Sequence, residues 1–573
     1  MDAPLRSRNA SRGRVLAAGF LLVLAFSAQA GGKPPGFAVA SAHPLATDAG
    51  IEILQQGGNA FDAAVAVSAA LGVVEPDSSG IGGGGFWLLH RERDRFETMV
   101  DGREMAPQAA SREMYQDAQG HAIADLSRDG PIAGGIPGTP AALDHIAARY
   151  GKLGLARDLA PAIRLAREGF PLDARFAKFI VMESRRLSPA ARALLLPDGK
   201  ALPEGALLRQ PDLADTLQRL ADQGRDGFYK GATAQQLVDG VRAGGGIWTL
   251  QDLAGYTAPE RKPVVVRFKD YRIVTAPPPS AGGVGLAEMF NQLSVLGWTG
   301  NNGVHSQQLV IEAMRRAYRD RATYLGDPDY IEMPLQRLVS PEYGRALAKS
   351  IQHDHATPSA DLPAPGQPKR AAREGVDTTH YSIIDSEGNR VAATVTVNLI
   401  FGSAFLAPGT GVFVNDEMDD FAASTTDSNA FGLIGSSANA VAPGKRPLST
   451  MTPSFVEGPK GVLVVGTPGG SRILTMVLLG MLDFFRGADA QAIVSDPRYH
   501  MQYLPDQVQF EKGAFDEQAQ AALAGMGYKL DALKSSYGNM QAVLWRPAQG
   551  TLQAAADPRG EGTARVVLNN ARQ

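Results

Sequence analysis

A threonine hydroxyl inside a chain is a poor nucleophile. At a new N-terminus it gains its own α-amine as a general base. That amine titrates at roughly 7.7–8.0, so a useful fraction is neutral near pH 7. The segment Asp377-Thr378-Thr379-His380-Tyr381-Ser382 offers such a residue in Thr378 if the chain is cut after Asp377. Read alone, the same six residues also make an ordinary turn entering a strand. The turn Pro468-Gly469-Gly470-Ser471 offers a second ingredient. Successive backbone N–H groups there can converge on one oxygen, as an oxyanion requires. Taken in isolation, a plain strand-to-helix turn fits equally well.

Other candidate chemistry falls away. Gly80-Ile81-Gly82-Gly83-Gly84-Gly85 matches the dinucleotide pattern G-x-G-x-x-G. That fingerprint needs a strand before it and a helix after, and here the order is reversed. Close backbone packing is the expected role. His353 and His355 sit two apart in a Pro-rich loop with no third ligand at metal spacing, so they read as solvated. His380 follows Thr378 by two residues in a strand, and an N-terminal amine would already supply the base. The chain has no cysteine, which excludes disulfides, thiol catalysis and thiolate metal sites. No cofactor and no metal site is read.

The elements that must position these residues follow from periodicity and punctuation. Asn59 to Val74 reads as a buried Ala/Val-rich helix ended by Glu75-Pro76. Residues 86–90 and 96–100 read as short strands around a charged turn. Residues 155–168, 210–223, 234–242 and 306–324 read as helices. Beyond Thr378 the pattern changes to a hairpin, residues 380–385 and 391–397 around Glu387-Gly388-Asn389. A strand at 461–465 and a helix at 473–485 follow. Strands from both halves with helices at either end suit two packed sheets covered by helices.

Downstream of Thr378 lie Asn398-Leu399-Ile400-Phe401-Gly402-Ser403, Asn415-Asp416-Glu417-Met418-Asp419-Asp420-Phe421, Lys445-Arg446-Pro447-Leu448-Ser449-Thr450-Met451 and Thr467-Pro468-Gly469-Gly470-Ser471-Arg472. Far upstream is Asp101-Gly102-Arg103-Glu104-Met105-Ala106-Pro107. In this order and spacing the chain resembles the γ-glutamyltranspeptidase family of N-terminal-nucleophile hydrolases, over nearly everything after residue 35. The resemblance implies an α+β fold, the αββα sandwich of that class, with two stacked sheets covered by helices on both faces. It implies that Thr378 is the nucleophile, that Thr396 hydrogen-bonds to it, and that Gly469 and Gly470 form the oxyanion hole. It places Arg103, Ser449 and Thr450 against the α-carboxylate of a γ-glutamyl group, and Asn398, Glu417 and Asp420 against its ammonium. A zwitterionic head needs both signs of charge, and these residues supply them. Three departures from the family pattern stand out. Thr450 replaces the second Ser of a usual Ser-Ser pair. Phe431 lies in the lid-like residues 422–438 where many bacterial members have Tyr. Asp416 stands where Asn is usual.

Residues 1–30 read as a signal peptide. Arg6, Arg8, Arg12 and Arg14 precede an apolar stretch from Val15 to Phe26, and Ala28-Gln29-Ala30 fits a cleavage site before Gly31. The apolar stretch is short for a bilayer span, so no stable membrane anchor is expected. The expected organisation is a large subunit, 31–377, and a small catalytic subunit, 378–573, folded together as one αββα domain after self-cleavage. The Pro-rich, polar residues 356–373 would give the cut end room to move. Without the leader the chain holds 52 basic and 58 acidic residues, which argues against a nucleic-acid partner. The expected protein is therefore a secreted, self-processing γ-glutamyltransferase and glutathione hydrolase, periplasmic in a diderm bacterium. Its partners would be glutathione and other γ-glutamyl compounds, amino-acid or peptide acceptors, and the two subunits of one precursor. The alternatives are a related amidase of the cephalosporin or glutaryl acylase type, and a catalytically dead exported binding protein.

Overall fold

The β-branched segment after Thr378 forms the expected hairpin. Strands Thr379–Ile384 and Arg390–Thr396 pair antiparallel, and Gly388 turns between them at φ +96°. A computed structural model describes residues 32–123, 125–362, 378–423 and 428–569. In it the hairpin lies near the centre of a seven-stranded antiparallel sheet. The strand order is Thr563–Leu568, Gly36–Ser41, Thr379–Ile384, Arg390–Thr396, Gly84–Arg91, Phe96–Gly102 and Glu260–Arg261. Segments from before and after residue 378 thus alternate side by side.

A second, six-stranded sheet packs on the first. Its order is Thr551–Ala556, Gln541–Arg546, Gly461–Gly466, Ser454–Gly458, Tyr271–Thr275 and Val264–Phe268. Strand alternation decides which residues meet in each layer. Ala38, Ala40, Phe86, Leu88, Ile384 and Ala392 face the second sheet and pack with Phe455, Val464 and Val543. Val39, Trp87, Leu89, Ile383, Val391 and Ala393 face the helices on the other side. A fully buried Leu, Ile or Phe contributes roughly 1.5–3 kcal/mol. Both sides of the hairpin are anchored in this way.

Helix Ala60–Val74 covers the first sheet and is buried along its whole length. It begins at a capping box, in which the Asn59 side chain accepts from the Phe61 and Asp62 N–H groups and Asp62 accepts from the Asn59 N–H. It ends at Glu75, before Pro76, as expected. Helices Gly282–Val295, Val304–Tyr324 and Ile473–Arg486 pack into the core on the second sheet's side. The layers are helix, sheet, sheet, helix, as the resemblance implied. Several element ends shift by one to three residues from expectation; the shift that bears on the site is that the strand ends at Thr396 and not at Val397. Asn398 has φ +78° and belongs to the turn that follows, not to a continued strand face. The leader, residues 363–373 of the Pro-rich stretch, and Asp377 lie outside the described residues.

Candidate active site

Hairpin register brings the two threonines together. Thr379 lies opposite Val395, so Thr378 enters beside Thr396 at the sheet's end. Their hydroxyl oxygens are 3.0 Å apart. Thr396 Oγ1 also accepts from the Asn398 N–H at 2.8 Å. The Asn398 side chain donates to the Asp416 carbonyl, and the Leu399 N–H donates to the Asp416 carboxyl. Burial pushes the Asp416 carboxyl well above its ordinary range against the pull of Arg186. A neutral carboxyl accepting this backbone bond has nearly the shape and polarity of the usual Asn.

The charged wall is one connected cluster. Arg103 is 1% exposed and bonds three acceptors: Glu417, Asp420 at 2.5 Å, and the Pro447 carbonyl at 3.2 Å. Burial works against its charge, but Glu417, Asp420 and Glu104 outweigh burial and hold the guanidinium protonated. Glu104 is fully buried 3.7 Å from Arg103. Burial and then repulsion from Glu417 push it well above the usual carboxylate range, so it is neutral. Burial also pushes Glu417 up to about 7, with Arg103 opposing and Asp420 assisting. Asp420 is further held by the Asn429 amide at 2.9 Å.

The glycine turn closes the other side. Gly469 and Gly470 have φ +133° and +56°, values that disfavour any side chain. The Thr450 hydroxyl donates to the Gly470 carbonyl at 2.6 Å, and Ser449 Oγ accepts from the Met451 N–H at 3.1 Å. Phe431 packs so closely on Gly470 that a Cβ there would meet its ring. Phe431 thus lines the cavity in contact with the turn itself.

These pieces surround a small cavity that opens to solvent. Thr378, Thr396, Asn398, Arg103, Glu417, Asp420, Ser449, Thr450 and Gly470 all line it. Gly469 does not; its Cβ position points at Met476. Two residues were not singled out from the sequence. Glu104 stood within the quoted Asp101–Pro107 segment, but its partner Glu417 is distant in sequence. Arg321 lines the cavity from helix Val304–Tyr324, where it reads like any charged helix residue. His380 takes no part. It is buried between the sheets, bonded to Thr394 and Ser382, and burial lowers its pKa to about 3. The glycine-rich stretch does pack against backbone: a Cβ on Gly82 would strike the Phe413 carbonyl, and one on Gly83 the Thr396 carbonyl. His353 and His355 are exposed. Among the described residues one trio, His90, Glu97 and Glu457, has metal-ligand spacing, but Arg272 and Arg390 already pair with its carboxylates.

The family model for gamma-glutamyltranspeptidase matches residues 46–567. The chain belongs to that family. It is 39% identical over 530 residues to the glutathione hydrolase proenzyme of Escherichia coli, covering 91% of this chain and 90% of that protein. It is 36% identical to the glutathione hydrolase proenzyme of Bacillus subtilis, covering 92% and 90%. Among solved structures it resembles a cephalosporin acylase from Bacillus halodurans, with TM-score 0.81, 28% identity and 99% of each chain covered. It also resembles the Helicobacter pylori gamma-glutamyltranspeptidase, with TM-score 0.54 and 37% identity over 56% of this chain and 94% of that one. Family membership makes the protein an enzyme with an N-terminal-nucleophile hydrolase fold. Among the described residues, no helix is long and apolar enough to cross a membrane.

Proposed function

We propose that the protein is an exported glutathione hydrolase and γ-glutamyltransferase that cuts its own chain before Thr378. The observation that carries this reading is the Thr378–Thr396 hydroxyl pair at a cavity walled by both signs of charge. Thr378 has φ +104°, a strained value for a β-branched residue. Strain of this kind is worth on the order of 1–3 kcal/mol and favours breaking the bond that imposes it.

After the cut, the Thr378 hydroxyl attacks the γ-carbonyl carbon of the substrate amide and its proton passes to the new α-amine. Thr396 holds the hydroxyl. Backbone N–H groups at Gly469-Gly470 receive the oxyanion. The C–N bond breaks, the amine's proton goes to the leaving nitrogen, and a γ-glutamyl ester on Thr378 remains. Water or an acceptor amine then attacks that ester and regenerates the hydroxyl. Glu417 and Asp420 suit the ammonium of the γ-glutamyl head, and Arg103 with Ser449 suits its carboxylate. Thr450 would act through the Gly470 carbonyl.

The acylase alternative has support in the Bacillus halodurans likeness. It leaves the Arg103–Glu417–Asp420 cluster without a task, because an acyl group lacking the amine has nothing for the acids to hold. The test is Thr378→Ala beside Thr378→Ser. The Ala variant should remain one chain without γ-glutamyl activity, and the Ser variant should still yield two pieces. Cleavage at the same bond in Thr378→Ala would show that the hydroxyl does not cut the chain.

A further inference from the structure

Arg103 is not the cavity's only guanidinium, and it is the more heavily engaged of the two. Three of its five N–H donors already point at Glu417, Asp420 and the Pro447 carbonyl. Arg321 lines the same cavity, is 5% exposed, and its side chain makes no hydrogen bond or ion pair to any described residue. Its Nε is fully buried and unpartnered. A buried guanidinium left in this state is costly unless something completes it. Its charge is felt by Asp420 and opposed by Arg103, which places it at the head end of the cavity with them. No hydrogen bond or ion pair joins it to Asp420, whose carboxylate oxygens instead bond Arg103 and Asn429.

The make-up of the wall points the same way. Three carboxyl groups, Glu104, Glu417 and Asp420, gather around the Arg103 guanidinium. Arg321 adds a second guanidinium to this end of the cavity, which suits a substrate head bearing a carboxylate as well as an ammonium. We propose that Arg321 is a specificity-determining residue that binds the substrate's α-carboxylate jointly with Arg103. Both arginines line the cavity that would hold it, while Arg103 stays bonded to the two acids. The inference rests on the γ-glutamyl reading of the cavity.

The test compares Arg321→Gln and Arg321→Lys with the parent enzyme. Two substrates are used: a γ-glutamyl anilide and its analogue with the α-carboxylate converted to a primary amide. A charged hydrogen bond lost from a buried site costs at least about tenfold. Arg321→Gln should therefore lose at least tenfold in kcat/KM on the γ-glutamyl anilide, mostly through KM. Its turnover of the amide analogue should fall by less than threefold. Arg321→Lys should recover part of the loss, since charge returns without the fork. Self-processing, followed by denaturing gel, should be complete in both variants. Unchanged kcat/KM on the γ-glutamyl anilide would overturn the assignment. So would an equal loss on both substrates, or incomplete processing, each of which marks a structural residue. If the parent itself fails on the γ-glutamyl anilide, the functional reading fails first, and separately.

Discussion

Removing the Thr450 hydroxyl should slow turnover without preventing chain cleavage or folding. Thr450 donates to the Gly470 carbonyl at 2.6 Å, and Gly469-Gly470 is the proposed source of the oxyanion's N–H donors. Thr450→Val deletes the hydroxyl and keeps the shape, leaving that carbonyl with the Ile473 N–H as its remaining donor. One lost hydrogen bond costs about 0.5–1.5 kcal/mol. A misaligned oxyanion donor costs about 2.7–4 kcal/mol in the limit of complete loss. The expected fall in kcat is between about twofold and eightyfold, at one factor of ten per 1.4 kcal/mol. Thr450→Ser keeps the hydroxyl and restores the usual Ser-Ser pair, so it should stay within about threefold of the parent. Both variants would be checked on a denaturing gel and then assayed on a γ-glutamyl anilide under saturating conditions. Parental kcat in Thr450→Val would refute the argument. Equal loss in Val and Ser variants would refute it too, because the methyl group would then be what matters.

Asp420→Ala should still process but raise KM on a γ-glutamyl anilide by about thirtyfold or more, from the 2–5 kcal/mol cost of breaking a desolvated charge pair. A glutaryl anilide, which lacks only the amine, should be nearly unaffected, and equal losses on both would make Asp420 a structural residue. A stability prediction concerns Asp158, wholly buried in helix Leu155–Glu168, whose pKa rises to about 8 through burial and then repulsion from Asp62. The folded protein therefore holds a proton that the unfolded chain, with an Asp pKa near 3.9, has lost, so stability falls as pH rises from about 4 to 8. Asp158→Asn should match the parent's Tm near pH 4 and exceed it increasingly up to pH 8. A Tm difference that does not change with pH would mean that Asp158 is ionised in the fold.

What the sequence made legible was what depends on local order. The capped helix at Ala60–Val74 and the hairpin after Thr378 follow from nearest-neighbour chemistry. The Thr378–Thr396 contact was implied by the family resemblance, and the hairpin's register in the structure accounts for it. The Pro-Gly-Gly turn and the site segments were recognisable as patterns. The Arg103–Glu417 and Arg103–Asp420 pairs span more than 300 residues, so only the folded sheets reveal that three separate site residues form one cluster. Arg321 escaped for a related reason. A helix rich in Arg reads as a solvated face, yet most of Val304–Tyr324 is buried. Strands such as Val264–Phe268 and Tyr271–Thr275 have no partner nearby in the chain other than each other, and their place beside Ser454–Gly458 is set by the second sheet.

The strand order of the first sheet has a consequence for the life history of the molecule. Gly36–Ser41 is flanked by Thr379–Ile384 on one side and Thr563–Leu568 on the other, while Arg390–Thr396 is clasped against Gly84–Arg91. Neither piece of a severed chain could leave without unzipping ladders through the middle of the core. The break would be chemically irreversible and yet mechanically silent. It would also work as an interlock. The hairpin that sets Thr378 beside Thr396 is flanked by strands from before the cut, and Arg103 also comes from there, so a half-made or misfolded polypeptide lacks the complete site. Mixing separately produced halves should accordingly be a poor route to active enzyme, because each half on its own is a set of unpaired edges.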